Sequence, residues 1–507
     1  MKFRSIPEAV LFHAGAHPDQ LCIADASGAY TYGQVVSAAG KLARYFLQEG
    51  ICGGDNIVVE GMQRAAFYEM ELAVQLIGAV FVPLENKCRA AKISSVARTC
   101  GAKRIILVKE PSGEEADLFP CPAVTCERLF SEAAPLSPYD DFYEETPDGR
   151  KIRDDFQIAM PDQVCEILFS TGTTGKEKGI MLTHANDVAC AENVGYGNAV
   201  KPDNVELIPS PLNHSHGLRS LYSNLLFGAS VVLVDSVFDM KRLFSSIETY
   251  GVTSMDLVPA ALSMILNLTR DKIGDYRESL RYIEFGSAPL RTADKEKIKH
   301  LLPDTVLNNF YGTTESGRTT VYNFNVPEEK HGCIGKPTKN AVMYIVDEDR
   351  RIMESDASHT GFLASGGAMN MAGYYRDPEE TARAMSGGII YTKDEAYFDE
   401  DGDIILLGRA DDVINIGGRK VSPEEIEDIV RKIDAVADCA CTAADDAVSG
   451  KVPKVYVEMK SGETFDAKAI RAFIRERTEA YKVPKYIEQI EKIPRTYNGK
   501  LLRRALK

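Results

Sequence analysis

The sequence predicts an α/β protein: a parallel sheet with helices on its faces, followed by a small separate domain. Two observations carry this. Strand-like and helical patterns alternate over residues 1–160 and again over 185–345, and alternation of that length builds a parallel sheet covered by helices. A short polar joint, Gly408-Arg-Ala-Asp-Asp412, then precedes roughly 95 residues, about the size of a small domain.

The elements follow in order. Tyr32 to Glu49 carries apolar residues at helical spacing. Asn56 to Glu60 reads as a strand, Ala65 to Leu76 as a helix, and Gly78 to Pro83 as the next strand. Residues 134–161, rich in Pro, Asp, Glu and Tyr, read as a surface connection. Ile167-Leu-Phe169 and Ile180-Met-Leu182 are short apolar runs that read as strands on either side of a turn. Further strands are expected at Ser230 to Val234 and Tyr282 to Phe285. Asp399-Glu-Asp-Gly402 reads as a turn and Ile404 to Leu407 as a strand. An amphipathic helix from Pro423 to Ile433 has Ser422 as its N-cap. A strand at Val455 to Met459 and two further helical patterns complete the tail. There is no internal repeat.

The chain has 507 residues, 44% hydrophobic and 26% charged, so it buries a large core. A net charge of −15 argues against a nucleic-acid partner, which requires a basic surface. The only close pairs among the eleven cysteines are Cys121/Cys126 and Cys439/Cys441, and neither has a second pair at zinc spacing. They read as reduced thiols. The start, M-K-F-R-S-I-P-E-A-V, lacks a signal-peptide core, and no apolar run approaches the ~18 residues of a membrane span. A cytoplasmic location is the expectation.

The most informative stretch is E-I-L-F-S-T-G-T-T-G-K-E-K-G, residues 166–179. Ser170 to Lys178 brings four hydroxyls, two glycines and two lysines into one turn. Small residues let backbone N–H groups approach phosphate oxygens, hydroxyls donate to them, and lysines offset their charge. The loop suits a polyphosphate but is no Walker A motif, because Glu177 follows Gly175-Lys176 and no Gly lies five residues before Gly175. Four more strings stand out: Pro211-Leu-Asn-His-Ser-His-Gly217, Asn309-Phe-Tyr-Gly-Thr-Thr-Glu-Ser-Gly317, Tyr391-Thr-Lys-Asp394 with Arg409 fifteen residues on, and Ile493-Pro-Arg-Thr-Tyr-Asn-Gly-Lys500. Each alone is a turn, a core histidine or a solvated lysine.

In order, these five strings resemble the signatures of the adenylate-forming superfamily, in its acyl- and aryl-CoA synthetase branch. The resemblance runs from about residue 7 to residue 505. It implies a large N-terminal region of layered α/β sheets (1–408) and a small mobile α+β lid (409–507) that rotates about Asp411. It also implies ATP, Mg²⁺ and CoA as reactants. A carboxylic acid becomes an acyl-AMP and is then passed to the CoA thiol, or to a carrier-protein phosphopantetheine.

The residue roles carry over by resemblance. Ser170, Thr171, Gly172, Thr173, Thr174, Gly175 and Lys178 hold the phosphates. Tyr311 stacks near adenine, with Gly312 and Thr313 beside it. Thr314 touches the α-phosphate, and Glu315 with Thr174 holds the metal. Asp394 and Arg409 take the ribose. Lys500 reaches the acid's carboxylate and the α-phosphate in one lid orientation, and Gly417-Gly418 line the thiol tunnel in the other. His214 borders the acyl carboxylate. His216, Ser220, Gly286, Ser287, Ala288 and Arg318 wall the acid pocket.

Two positions depart from the family: Glu177 replaces a Pro, and Lys393 replaces a Gly, where it is expected to crowd the loop. They are the only support for a rival reading, a nucleotide-binding paralogue without catalysis. No Asp for an α-ammonium occurs between Pro209 and Tyr222, which argues for a simple carboxylic acid. Arg318 either faces the pocket, where an unpaired charge needs an accepting partner, or points outward to a surface carboxylate. The first option implies a modest-sized acid with a polar distal group, such as a hydroxylated aryl acid or a dicarboxylate. A homodimer is left open.

Overall fold

Strand pairing assembles three main sheets in the computed structural model, which describes residues 2–141, 143–146, 149–153, 157–171, 177–416, 419–446, 450–495 and 501–506. The seven-stranded sheet runs Gly373–Tyr374, Glu177–Thr183, Val164–Thr171, Val80–Leu84, Asn56–Glu60, Arg104–Leu107, Ala123–Thr125. The larger sheet has a parallel run, Val306–Tyr311, Tyr282–Phe285, Ser254–Leu257, Val205–Ile208, Ser230–Leu233, Leu21–Ala24. Antiparallel strands extend it past Val306–Tyr311, among them Thr320–Asn323, Ile389–Phe398 and Ile404–Arg409.

The layers follow from which faces are apolar. Helices Tyr32–Gln48, Ala65–Leu76 and Ser215–Leu226 lie between the two sheets, and their buried residues share one core with Ile57, Phe81, Ile23 and Val231 of the strands. Ala65–Leu76 is buried at every position but Ala66, as befits a helix covered on both sides. Helices Met240–Tyr250, Pro259–Leu268 and Thr292–Leu301 cover the far face of the larger sheet, and Ala90–Cys100 that of the smaller.

The chain after Asp412 builds a five-stranded sheet with its own core, formed with helices Pro423–Arg431 and Ala467–Arg475 around Ile426, Val455 and Ile474. Among the described residues no helix is long and apolar enough to cross a membrane.

Four expectations need correction. Residues 134–161 are not merely a surface connection. They pair as a hairpin, Tyr143–Thr146 with Gly149–Ile152, and are pinned by buried Tyr139 and Ile158. Helix–strand alternation ends with the parallel strand Val306–Tyr311, after which antiparallel strands follow through Ala341–Val346. After Pro423–Arg431, the described residues of the tail hold one α-helix, Ala467–Arg475, and Ala480–Lys482 and Arg503–Leu506 are single 3₁₀ turns. The strand Val436–Asp446 was not legible, because V-A-D-C-A-C-T-A-A-D-D is Ala-rich. Pairing along Gly450–Met459 overrides that propensity. Ser422 does occupy the N-cap position, without a side-chain cap bond.

Candidate active site

Three groups of side chains meet where the larger sheet faces the smaller. The first lies at the end of Val306–Tyr311. The spacing of Asp394 and Arg409 is a hairpin register, since the two pair directly across Ile389–Phe398 and Ile404–Arg409. The hairpin's turn is locked by Lys330, whose Nζ donates to Asp399, Asp401 and Asp403 at 2.6–2.7 Å. That acidic trio is therefore closed by an ammonium. The Asp394 carboxylate accepts from the Tyr311 hydroxyl on Oδ2, and Arg409 Nε stands 3.4 Å from Oδ1. Burial, and then the Asp394 charge, push the Tyr311 phenol well up. Lys393 is exposed and is not among the residues with positive φ, so it does not crowd the loop as expected.

The second group is the turn after Tyr311. Thr313 and Ser316 cross-bond, backbone N–H to side-chain oxygen, at 3.1 and 3.2 Å. Gly312 is required there, because a Cβ would sit 1.7 Å from the Gly317 carbonyl oxygen. Thr314 and Glu315 are half-buried. The Glu315 carboxylate accepts from the Tyr374 hydroxyl at 2.8 Å, and its backbone carbonyl from Met371 N–H at 2.8 Å. Burial, and then Glu315, push the Tyr374 phenol up.

Ser170 and Thr171 end one arm of the adjoining hairpin, opposite Lys178 and Glu177. The Lys178 ammonium pairs with Glu380 and lies over the Tyr374 ring, 5.1 Å from its centroid. Glu177 pairs with Lys92 at 3.0 Å. Gly172, Thr173, Thr174, Gly175, Gly417, Gly418 and Lys500 lie outside the described residues.

The third group is a polar row inside the larger sheet. His214 is the exposed N-cap of Ser215–Leu226. On that helix His216, Ser220 and Asn224 stand at i, i+4 and i+8, on one face, and each meets one strand carboxylate. His216 lies against Asp256, Ser220 donates to Glu284, and Asn224 donates to Glu206. Asp256 and Glu284 are direct neighbours across Ser254–Leu257 and Tyr282–Phe285. Arg318 is only 6% exposed and turns into this row. Its Nη2 donates to the His216 carbonyl at 3.2 Å and stands 3.7 Å from Glu284. The outward orientation is thus excluded, and the accepting partner is supplied by the protein. Burial first, and neighbouring carboxylates with it, push Glu206 and Glu284 up, while Arg318 pulls Glu284 back. Gly286 is buried beside His216 and Arg318; Ala288 is half-buried and Ser287 exposed, the latter at φ 72°. A positive φ at a non-glycine residue is strain of the kind held at functional sites.

Sequence reasoning missed Glu206, Asp256, Glu284 and Tyr374. The signal was present for the first three. V-E-L-I, S-M-D-L and Y-I-E-F each place one carboxylate in a strand that is otherwise buried, which is costly without partners. Asp411 falls in the turn between Ile404–Arg409 and Ile414–Ile416, where Asp412 and Val413 N–H donate to the Arg409 carbonyl.

The layered α/β body with its separate C-terminal domain has the fold of adenylate-forming CoA synthetases. The chain belongs to the AMP-binding enzyme family: that family's model matches residues 12–375, and the model of the AMP-binding enzyme C-terminal domain matches 425–500. It is 27% identical to 4-coumarate–CoA ligase 3 of Arabidopsis thaliana, over 96% of this chain and 88% of that protein. It is 29% identical to the medium-chain fatty-acid–CoA ligase of Escherichia coli (strain K12), over 96% and 87%. Its fold matches o-succinylbenzoate CoA synthetase (MenE) from Bacillus subtilis in complex with the acyl-adenylate OSB-AMP. That match has a TM-score of 0.81 and 23% identity, and covers 99% of this chain and 98% of the other.

Proposed function

We propose that the protein activates a carboxylic acid with ATP and transfers the acyl group to the thiol of CoA. One oxygen of the acid attacks the α-phosphorus and pyrophosphate leaves. The CoA sulfur then attacks the carbonyl of the mixed anhydride, giving up its proton, and AMP leaves. The observation that carries this reading is the Tyr311–Asp394–Arg409 grouping directly beside the Thr314–Glu315 turn.

Asp394 holds the ribose. Its two oxygens accept from a vicinal diol, and Tyr311 and Arg409 keep them oriented beforehand. Thr314 donates to the α-phosphate. Glu315 fits Mg²⁺, since it presents a hard anionic oxygen held in place by Tyr374. Magnesium, when bound, offsets the charge of the triphosphate. His214 stands at the mouth of the acid pocket, over the carboxylate.

The lid begins near residue 409 and turns about Asp411. Its contacts with the larger body include Thr292–Asp428 at 3.0 Å and Lys420–Glu395 at 3.1 Å. Polar contacts of this kind suit a domain that moves. In one orientation Lys500 reaches the transferring oxygens, and in the other Gly417-Gly418 border the thiol.

The test is acid-dependent pyrophosphate release with ATP and Mg²⁺, followed by thioester formation with CoA against a set of carrier proteins. The proposal expects both steps, with CoA as acceptor. Nucleotide binding without pyrophosphate release for any acid would overturn it.

A further inference from the structure

We propose that the acid carries a hydroxyl group at its distal end, held between Asp256 and Arg318. This rests on the ligase reading above and narrows its substrate class. The argument starts from unpartnered atoms. Both Asp256 carboxylate oxygens, His216 Nε2 and Arg318 Nη1 are buried without a hydrogen-bond partner. His216 Nε2 and Asp256 Oδ1 touch, but without the alignment of a hydrogen bond. Asp256 is fully buried and Arg318 is 6% exposed, so bulk water does not serve them. Buried polar atoms of this kind are rare in a finished core.

The same atoms border the acid pocket. A Cβ on Gly286 would lie 2.9 Å from the His216 ring and 3.2 Å from Arg318 Nη1. Glycine there lets the His216 ring and the Arg318 guanidinium pack directly against the backbone. His216 is half-buried, with half-buried Ala288 and exposed Ser287 beyond Gly286, so the row opens at that end.

Chemistry then selects among distal groups. An unsubstituted chain leaves Asp256 and Arg318 Nη1 unsatisfied. An ammonium donates to Asp256 but faces the Arg318 charge and cannot accept from Nη1. A second carboxylate accepts from Nη1 but, ionised, has no proton to donate to Asp256. A hydroxyl alone does both tasks, donating to Asp256 and accepting from Arg318. Glu284 neutralises the far side of Arg318, so the substrate need carry no second charge.

The experiment measures pyrophosphate release by the full chain with matched acids: 3-phenylpropanoate and its 4-hydroxy form, hexanoate and 6-hydroxyhexanoate, adipate, and 6-aminohexanoate. The expected result is a kcat/KM for the hydroxylated member of a pair on the order of 10² times that of its partner, or more, because a site built around a hydroxyl rejects the analogue lacking it. Asp256→Asn should lower that ratio by about tenfold or more, as donation to a carboxylate is lost. Preference for the unsubstituted, dicarboxylic or amino acid overturns the inference and leaves the ligase reading intact. Equal loss on both members of a pair in Asp256→Asn overturns the placement at Asp256. No release with any acid overturns the ligase reading itself.

Discussion

Replacing Arg219 by Met should destabilise the protein more than removing any surface charge, and the reason lies on both sides of one helix. Arg219 is 2% exposed, pairs with Asp187 at 2.9 Å and with Glu166, and lies over the Tyr222 ring, 5.1 Å from its centroid. The Tyr222 hydroxyl in turn bridges Glu166, at 3.0 Å, and Glu71. Three fully buried carboxyls thus share one guanidinium. Met matches its bulk without its charge or donors, so Glu166 and Asp187 lose their cation in a desolvated site. Breaking a buried pair from one side costs about 3–5 kcal/mol, a large share of the ~5–15 kcal/mol typical of folded domains. Urea unfolding followed by circular dichroism measures the loss. The double variant Arg219→Met/Glu166→Gln should recover part of it, since the stranded charge is gone. A loss under about 1 kcal/mol in the single variant, the usual limit for an exposed pair, would refute the reasoning. So would a double variant weaker by the simple sum of two singles.

Four further outcomes are expected. Tyr374→Phe removes the hydroxyl that orients Glu315 and should raise the Mg²⁺ concentration needed for half-maximal pyrophosphate release about 10-fold or more; an unchanged titration counts against Glu315 as a ligand. Glu177→Pro breaks the half-exposed pair with Lys92, worth up to about 1 kcal/mol, and should leave adenylation nearly unchanged, so abolished release would show that this chain depends on its departure from the family. Glu69 is pushed up to about 8 by burial first and Asp25 second. Between its ordinary carboxyl range and pH 8 the folded state therefore holds a proton that the unfolded state releases, and stability falls as pH rises, by up to about 1.4 kcal/mol per unit; urea unfolding at several pH values should give a shallower slope for Glu69→Gln. Lys500→Ala should cut adenylation by about 10²–10³ while sparing thioester formation from supplied acyl-AMP, and an equal fall in both half-reactions contradicts a lid with two working orientations.

Much of this was legible in the chain. Ala65 to Leu76 and Tyr282 to Phe285 were read to the residue, because dense apolar runs with clear ends leave little choice of element. The turn at Asp399 to Gly402 and the strand after it were also read, while the direct pairing of Asp394 with Arg409 across that turn came from the structure. What was not legible depended on partners distant in sequence. Nothing near Arg318 announces Glu284, and nothing near Glu315 announces Tyr374, 59 residues on. Lys393 looked like an obstruction only while its backbone angle was unknown.

The helix Ser215–Leu226 ties these observations together. It runs between the two sheets, and its 3.6-residue period divides its polar side chains between them. His216, Ser220 and Asn224 reach the larger sheet's carboxyls, while Arg219 and Tyr222 reach Glu166 and Glu71 on the other side. Glu166 lies on the strand Val164–Thr171, which carries Ser170 and Thr171 at its end. One helix therefore ties the polar row of the larger sheet to the strand that carries Ser170. The two sides differ in one respect. On the side facing Glu166 both Arg219 charge contacts are made, although Glu71 Oε2 has no hydrogen-bond partner among the described residues. The side facing Asp256 is left with unanswered atoms where the row opens beside Gly286. A core can tolerate buried carboxyls for stability only when they are paired. Unpaired ones at the open end of an otherwise complete row are what a site looks like when part of its hydrogen bonding is to come from a ligand.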